Sequence, residues 1–137
     1  MKKSCFVATT LFACAVAAQA GDLFVSINSG SVMTQGAGLA IATNALEQKA
    51  NVRILLCDAG GDIALTGKDM PSLKPRNVTP QQILQGLLKN GAKVEVCALY
   101  LPNSGHKATD LISGVTPANP ADVAAYLLKP EVQTLAF

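Results

Sequence analysis

Apolar residues along the chain fall into short continuous runs and into longer stretches with helical spacing. Four continuous runs predict buried strands at residues 22–27, 51–61, 93–101 and 132–137, and residues 111–115 predict a fifth, shorter strand. Asn-Ser-Gly follows the first run, and Asp with two glycines ends the second. Such turn residues mark where a buried strand reaches the surface.

Helical spacing separates these strands. Residues 32–50 place small and apolar residues on one face, and a second helix is marked by Thr79 as N-cap, Pro80 at the first position and Gln82 completing a capping box. A third helix begins after Asn119 by the same logic. The predicted buried faces are Leu39, Ala42, Ala45 and Leu46 in the first helix, Ile83, Leu84, Leu87 and Leu88 in the second, and Val123, Leu127 and Leu128 in the third.

Strands alternate with helices along the chain, and the strands are continuously apolar rather than one-sided. This pattern favours a sheet that is covered by helices on both faces. We therefore predict an α/β fold, a three-layer α/β/α sandwich with a mostly parallel sheet of about five strands, forming a single domain over residues 21–137.

The first twenty residues have the features of an export signal. Lys2 and Lys3 precede a short apolar run, and Ala18-Gln19-Ala20 forms a small-x-small cleavage site. We expect residues 1–20 to be a signal peptide and the protein to be periplasmic or secreted, with no membrane span after cleavage. A lipoprotein signal ending at Cys14 is the alternative.

Cleavage changes the charge and the cysteine count. It leaves nine basic and nine acidic residues, and neither a basic stripe nor an aromatic platform, so we expect no nucleic-acid partner. It also removes two of the four cysteines, which leaves Cys57 and Cys97. An exported compartment is oxidising, so these two residues are open to pairing or to chemistry.

Parallel sheets bind ligands beyond the carboxyl ends of their strands. Three such ends are predicted here, and both cysteines fall on them. The candidate binding residues at this edge are Asn28, Ser29, Gly30, Cys57, Gly60, Gly61 and Asn103.

Cys97 has three interpretations: a small core residue, half of a disulfide, or a reactive thiol. Reactivity requires a thiolate, and a cation or backbone donor nearby would favour it. His106, in the turn that follows, is the candidate for that activation, with an exposed loop residue as the alternative. Cys57 is structural, a resolving thiol, or a disulfide partner of Cys97, and the last requires that the two strands be neighbours or that a loop bend inward.

Metal and cofactor sites are not indicated. The chain contains no P-loop, nucleophile elbow or HExxH pattern, and "GAGLAI" lacks the third glycine of a dinucleotide-binding fingerprint. Cysteine, histidine and methionine occur without a ligand spacing. We predict neither a metal nor a cofactor.

The segments "LFVSINSG", "ILLCDAGG", "TPQQILQGLLKNGAKVEVC" and "LAF" together resemble the DsrE/DsrF-like sulfur-relay family over the whole cleaved chain. The resemblance implies a small α/β/α domain that assembles into trimers or hexamers. It also implies that a cysteine after a central strand carries sulfur as a persulfide, and Cys97 matches that cysteine by position. Some members of the family lack the cysteine, and its best-known members work in the cytoplasm.

These observations lead to an exported DsrE-like protein that binds or transfers reactive sulfur through Cys97, as a sulfurtransferase or a carrier. Its partners would be small sulfur species or a thiol or persulfide protein. The alternative is a non-catalytic oligomeric binding or scaffold module with structural cysteines. A thiol–disulfide oxidoreductase is a third interpretation, and the chain lacks the C-x-x-C spacing typical of that class.

Overall fold

A computed structural model describes residues 21–137. The predicted signal peptide therefore lies outside the described residues. Five strands form one sheet in the order β4-β3-β2-β1-β5, and every neighbouring pair is parallel. The strands are β1 (Asp22–Ile27), β2 (Asn51–Leu56), β3 (Lys93–Val96), β4 (Val115–Pro117) and β5 (Val132–Ala136).

Helices cover both faces of this sheet, which confirms the predicted α/β/α sandwich. Helices α1 (Val32–Glu47) and α2 (Pro80–Lys89) pack on one face, and α4 (Pro120–Leu127) packs on the other. A short helix, α3 (Tyr100–Ser104), follows β3. Alternation along β1 shows the two layers, because Val25 joins the large core under α1 and α2 while Phe24 joins Val123 of α4.

The second helix begins as its sequence predicts. The amide of Gln82 donates to the Thr79 hydroxyl at 3.2 Å, and the amide of Thr79 donates to the Gln82 side chain at 2.8 Å. This reciprocal capping box satisfies two amides that the first turn leaves free. Leu84 and Leu87 are then fully buried, and Ile83 and Leu88 pack against the same core.

An ion pair is buried on the α4 face of the sheet. Arg53 of β2 and Glu95 of β3 are 6% and 4% exposed, and Arg53 Nε donates to Glu95 Oε2 at 2.7 Å. The guanidinium also lies 5.0 Å from the centre of the Tyr126 ring in α4. Charge and packing thus fix β2, β3 and α4 relative to one another.

Three predicted strands differ in extent. The strand predicted to run to Leu101 ends at Val96, because the chain turns at once into α3. The second strand ends at Leu56, and residues 58–64 form a 3₁₀ helix. The strand predicted from Leu111 begins only at Val115, where pairing with Val94 becomes available. In each case the apolar run extends outside the paired residues, so hydrophobicity alone misplaces the end of the strand.

The predicted buried face of the last helix is wrong in part. Val123 is buried, but Leu127 is 38% exposed and Leu128 is 84% exposed. Tyr126 takes their place against the sheet. Leu128 follows Val123 by five residues, which at 3.6 residues per turn places it about 140° around the helix axis, away from the sheet.

Within residues 21–137, no helix combines the length and the apolar character needed to cross a bilayer.

Candidate functional site: a pair of thiols

Cys57 and Cys97 lie side by side at the carboxyl edge of the sheet. The register of β2 and β3 pairs Leu56 with Val96, and each cysteine is the next residue of its strand. Backbone hydrogen bonds extend from the sheet to both cysteines. The Cys57 amide donates to the Ile27 carbonyl at 2.9 Å, and the Cys97 amide donates to the Leu56 carbonyl at 2.8 Å. Neighbouring strands are about 4.8 Å apart. The two residues therefore meet the condition on which a disulfide depends, and both are free thiols here.

The thiol of Cys57 is held in its protonated form. Burial, a hydrogen bond with Cys97, and the negative charges of Cys97 and Asp58 together raise the pKa of Cys57 to about 12. At neutral pH its S–H group is therefore available as a donor to the sulfur of Cys97.

The turn after Cys57 is built on glycines that approach neighbouring groups closely. The Gly60 amide donates to the carbonyls of Cys57 at 2.9 Å and Asn28 at 3.3 Å, and a Cβ on Gly60 would overlap the carbonyl of Ile27. A Cβ on Gly61 would overlap the ring of Tyr100. These glycines therefore shape the edge at which the thiols sit.

Tyr100 joins the turn after Cys97 to the turn after Cys57. Its amide donates to the Cys97 carbonyl at 2.9 Å, and its hydroxyl donates to Asp62 Oδ1 at 2.7 Å. Lys68 pairs with the other oxygen of Asp62 at 2.8 Å. Burial and the adjacent Asp62 carboxylate raise the pKa of Tyr100 well above its ordinary value. Burial alone would raise the pKa of Asp62, but the hydrogen bonds from Lys68 and Tyr100 outweigh it and lower that pKa.

His106 lies against Tyr100. The two rings stack with centres 6.4 Å apart, and His106 Nδ1 is 3.7 Å from Asp110 Oδ2. In the part of the chain that the structure describes, no basic side chain donates a hydrogen bond to either thiol. Activation of Cys97 by His106 stays a prediction; His106 stacks on Tyr100, whose amide donates to the Cys97 carbonyl.

The remaining predicted binding residues have partners within the chain. The amides of Asn28 and Ser29 donate to the Phe137 carbonyl at 2.7 and 3.3 Å, and Gly30 lies close to Ala59. Asn103 belongs to α3, where its side-chain amide donates to the Leu99 carbonyl at 2.7 Å. The first three residues thus join the same edge as the thiols, and their role in binding is untested.

A cavity of ≈ 870 Å³ lies between α1 and α2, and its lining contains neither cysteine. Among residues 21–137, no group of three or more His, Cys, Asp or Glu side chains is arranged to hold a metal ion.

Solved structures share this fold. The ychN protein from E. coli matches with a TM-score of 0.73 and 21% sequence identity, covering 85% of this chain and 99% of that one. A protein of unknown function, MTH1491 from Methanobacterium thermoautotrophicum, matches with a TM-score of 0.67 and 12% identity over the same shares of the two chains. No family model and no curated protein matches the sequence. At these identities the likeness shows the fold alone.

Sequence reasoning missed the Asp62–Tyr100 contact. From the sequence, Asp62 is predicted to be a turn residue and Tyr100 to be part of a strand. The Tyr100 ring contacts Gly61 only because β3 ends early, at Val96. The sequence did contain a signal that the two cysteines are adjacent. Consecutive strands in a parallel sheet are usually neighbours, and β2 and β3 follow one another along the chain.

Proposed function

We propose that the protein binds or transfers reactive sulfur as a persulfide on Cys97. The observation that carries this proposal is the placement of Cys97 beside a second, protonated thiol at the carboxyl edge of the sheet. Half-burial of both residues leaves a sulfur donor a route to the pair. The Cys57 S–H group can stabilise negative charge on the Cys97 sulfur, as a hydrogen bond to the charged form does in general.

The chemistry is a nucleophilic displacement. The Cys97 thiolate attacks the outer sulfur of thiosulfate, its S–S bond breaks, and sulfite leaves with the electron pair. With a persulfide donor the leaving group is instead the donor's thiolate. Cys97 then bears one extra sulfur, which an acceptor thiolate removes by the same reaction in reverse order.

Intact-mass spectrometry tests the proposal. The purified protein is incubated with polysulfide or thiosulfate, desalted and mapped, and we expect Cys97 to gain about 32 Da, the mass of one sulfur atom. Cys57→Ser keeps the gain on Cys97, and Cys97→Ser loses it. If Cys97 stays unmodified while a small control thiol in the same tube gains sulfur, the proposal is wrong.

Membership of the DsrE/DsrF-like family, export and assembly form part of the same proposal. The family motifs and the shared α/β/α fold support membership. The charged start and the cleavage site of residues 1–20 support a periplasmic or secreted location. The exposed Leu127 and Leu128 support a homo-oligomer, a trimer or hexamer, because apolar side chains at the surface favour contacts with other chains.

A scaffold module is the second candidate function. It is favoured by the contact of Cys97 with the large core and by further exposed apolar residues, Met33 at 76% and Leu99 at 70%. If the protein is a scaffold, Cys97→Ser leaves its cellular function intact and affects chiefly its stability. Labelling of the folded protein separates the two candidates, because a reacting Cys97 labels rapidly near neutral pH and a packed one is protected.

A further inference from the structure

We propose that Cys57 is a resolving thiol, which attacks the persulfide on Cys97, releases hydrosulfide and leaves a Cys57–Cys97 disulfide. This inference rests on the proposed function, since it begins from the persulfide. It assigns the pair a second outcome besides transfer to an acceptor protein: conversion of bound sulfur to sulfide.

The backbone places the two residues within bonding reach. Each follows its strand by one residue, directly after the Leu56–Val96 pair that ends the β2–β3 register, and the Cys97 amide still donates to the Leu56 carbonyl at 2.8 Å. A strand spacing of about 4.8 Å lies inside the range of about 4.4–6.8 Å between the Cα atoms of natural disulfides. The two strands therefore need not separate for the bond to form.

The resolving step balances without an added oxidant. The Cys57 thiolate attacks Sγ of Cys97, a new S–S bond forms between the cysteines, and the bond between Sγ and the outer sulfur breaks. The outer sulfur leaves with the electron pair as hydrosulfide and takes up a proton from water. Two thiol sulfurs are oxidised to a disulfide while one sulfane sulfur is reduced to sulfide. An external dithiol is then required to regenerate the pair.

The surroundings of Cys57 make this step slow at neutral pH. Burial keeps Cys57 protonated. Two neighbours add to this effect: Cys97, which follows the adjacent strand, and Asp58, the next residue along the chain. Only the thiolate attacks. The attack of Cys57 on a Cys97 persulfide is therefore slow at neutral pH, and release of sulfide accelerates as the pH rises.

The test follows the fate of a loaded sample. Wild-type protein and Cys57→Ser are charged with polysulfide, desalted, and followed over time by intact mass and by a sulfide assay. In the wild type we expect the gain of about 32 Da to give way to a loss of about 2 Da, relative to the dithiol, with about one sulfide released per chain. In Cys57→Ser the persulfide survives at least about tenfold longer.

The outcomes separate the two proposals. If Cys97 loads in both proteins and sulfur leaves both at the same rate, Cys57 does not resolve the persulfide and the proposed function still stands. If Cys97 loads in neither protein, the proposed function fails and this inference fails with it. Cys57→Ala serves as a second variant, and thermal melting of each variant confirms that it is folded.

Discussion

Two cysteine residues differ in what they are able to do, although both are half-buried at the ends of neighbouring strands. Cys57 keeps its proton because burial and two negative neighbours disfavour its thiolate. Cys97 lies beside Cys57 and at the start of the turn that Tyr100 anchors. The division of roles that we propose, with Cys97 as nucleophile and Cys57 as proton-bearing partner, rests on these surroundings.

The pH dependence of Cys57 alkylation tests this division. Because its pKa is raised from 9.0 to about 12, the rate of iodoacetamide labelling at Cys57 should rise about tenfold for each pH unit from pH 7 to pH 10, following the thiolate fraction. Peptide mapping by mass spectrometry reads the rate. A rise that flattens between about pH 9 and pH 10, as for an ordinary thiol, would contradict the assigned role.

Asp58→Asn provides a companion measurement. The substitution removes one negative charge beside Cys57, so labelling should become faster at every pH in the same range. Asp58 has φ 46°, and asparagine is well tolerated in this left-handed region, so the turn is preserved. An unchanged rate would show that Asp58 does not act on the thiol.

At the scale of the elements, the turn after β2 depends on the absence of a side chain at Gly60. Gly60→Ala drives a Cβ into the carbonyl of Ile27, which β1 cannot move without losing its ladder. We expect a loss of about 2–3 kcal/mol in the free energy of unfolding. Gly86→Ala in α2 is the matched control, because a Cβ there meets nothing within 4 Å, and should stabilise by about 1 kcal/mol. Equal effects in urea denaturation would contradict the close approach.

The buried ion pair between β2 and β3 makes a second prediction at this scale. Glu95→Gln leaves the Arg53 cation buried without its partner, and should destabilise by about 3–5 kcal/mol. Lys68→Met is the control, because the Lys68–Asp62 pair is exposed, with side chains 44% and 35% accessible, and should cost less than about 1 kcal/mol. Chemical denaturation of both variants measures these losses in the free energy of unfolding. A loss for Glu95→Gln as small as that for Lys68→Met would contradict a buried Arg53–Glu95 pair.

The sequence predicted the element order and the helix starts well, and the strand ends poorly. Thr79, Pro80 and Gln82 act locally, so their capping pattern is readable without knowing the fold. The ends of β3 and β4 depend instead on pairing between Val94 and Val115 across the sheet. The contact of Tyr100 with Asp62 likewise arises only after the turn folds back. Long-range pairing, rather than local preference, decided what was missed.

The whole molecule presents an apolar end of α4 at its surface. If the protein forms a trimer or hexamer as we propose, burial of Leu128 between chains is the expected reason for its exposure of 84% in a single chain. Leu128→Glu should then reduce the mass measured by light scattering to that of a smaller assembly or a monomer. Ser104→Glu, at another exposed position, is the control. A monomeric wild type, or an assembly unaffected by Leu128→Glu, would contradict this interface.

Sulfur on Cys97 is the claim on which the function depends, and intact-mass spectrometry measures it most directly. Protein purified from its native compartment under alkylating conditions, and again after incubation with polysulfide, should contain chains that carry about 32 Da of extra sulfur on Cys97. The same treatment should leave Cys97→Ser without that gain. If every wild-type chain holds Cys97 only as a free thiol or as a disulfide in both samples, the protein does not carry sulfur there.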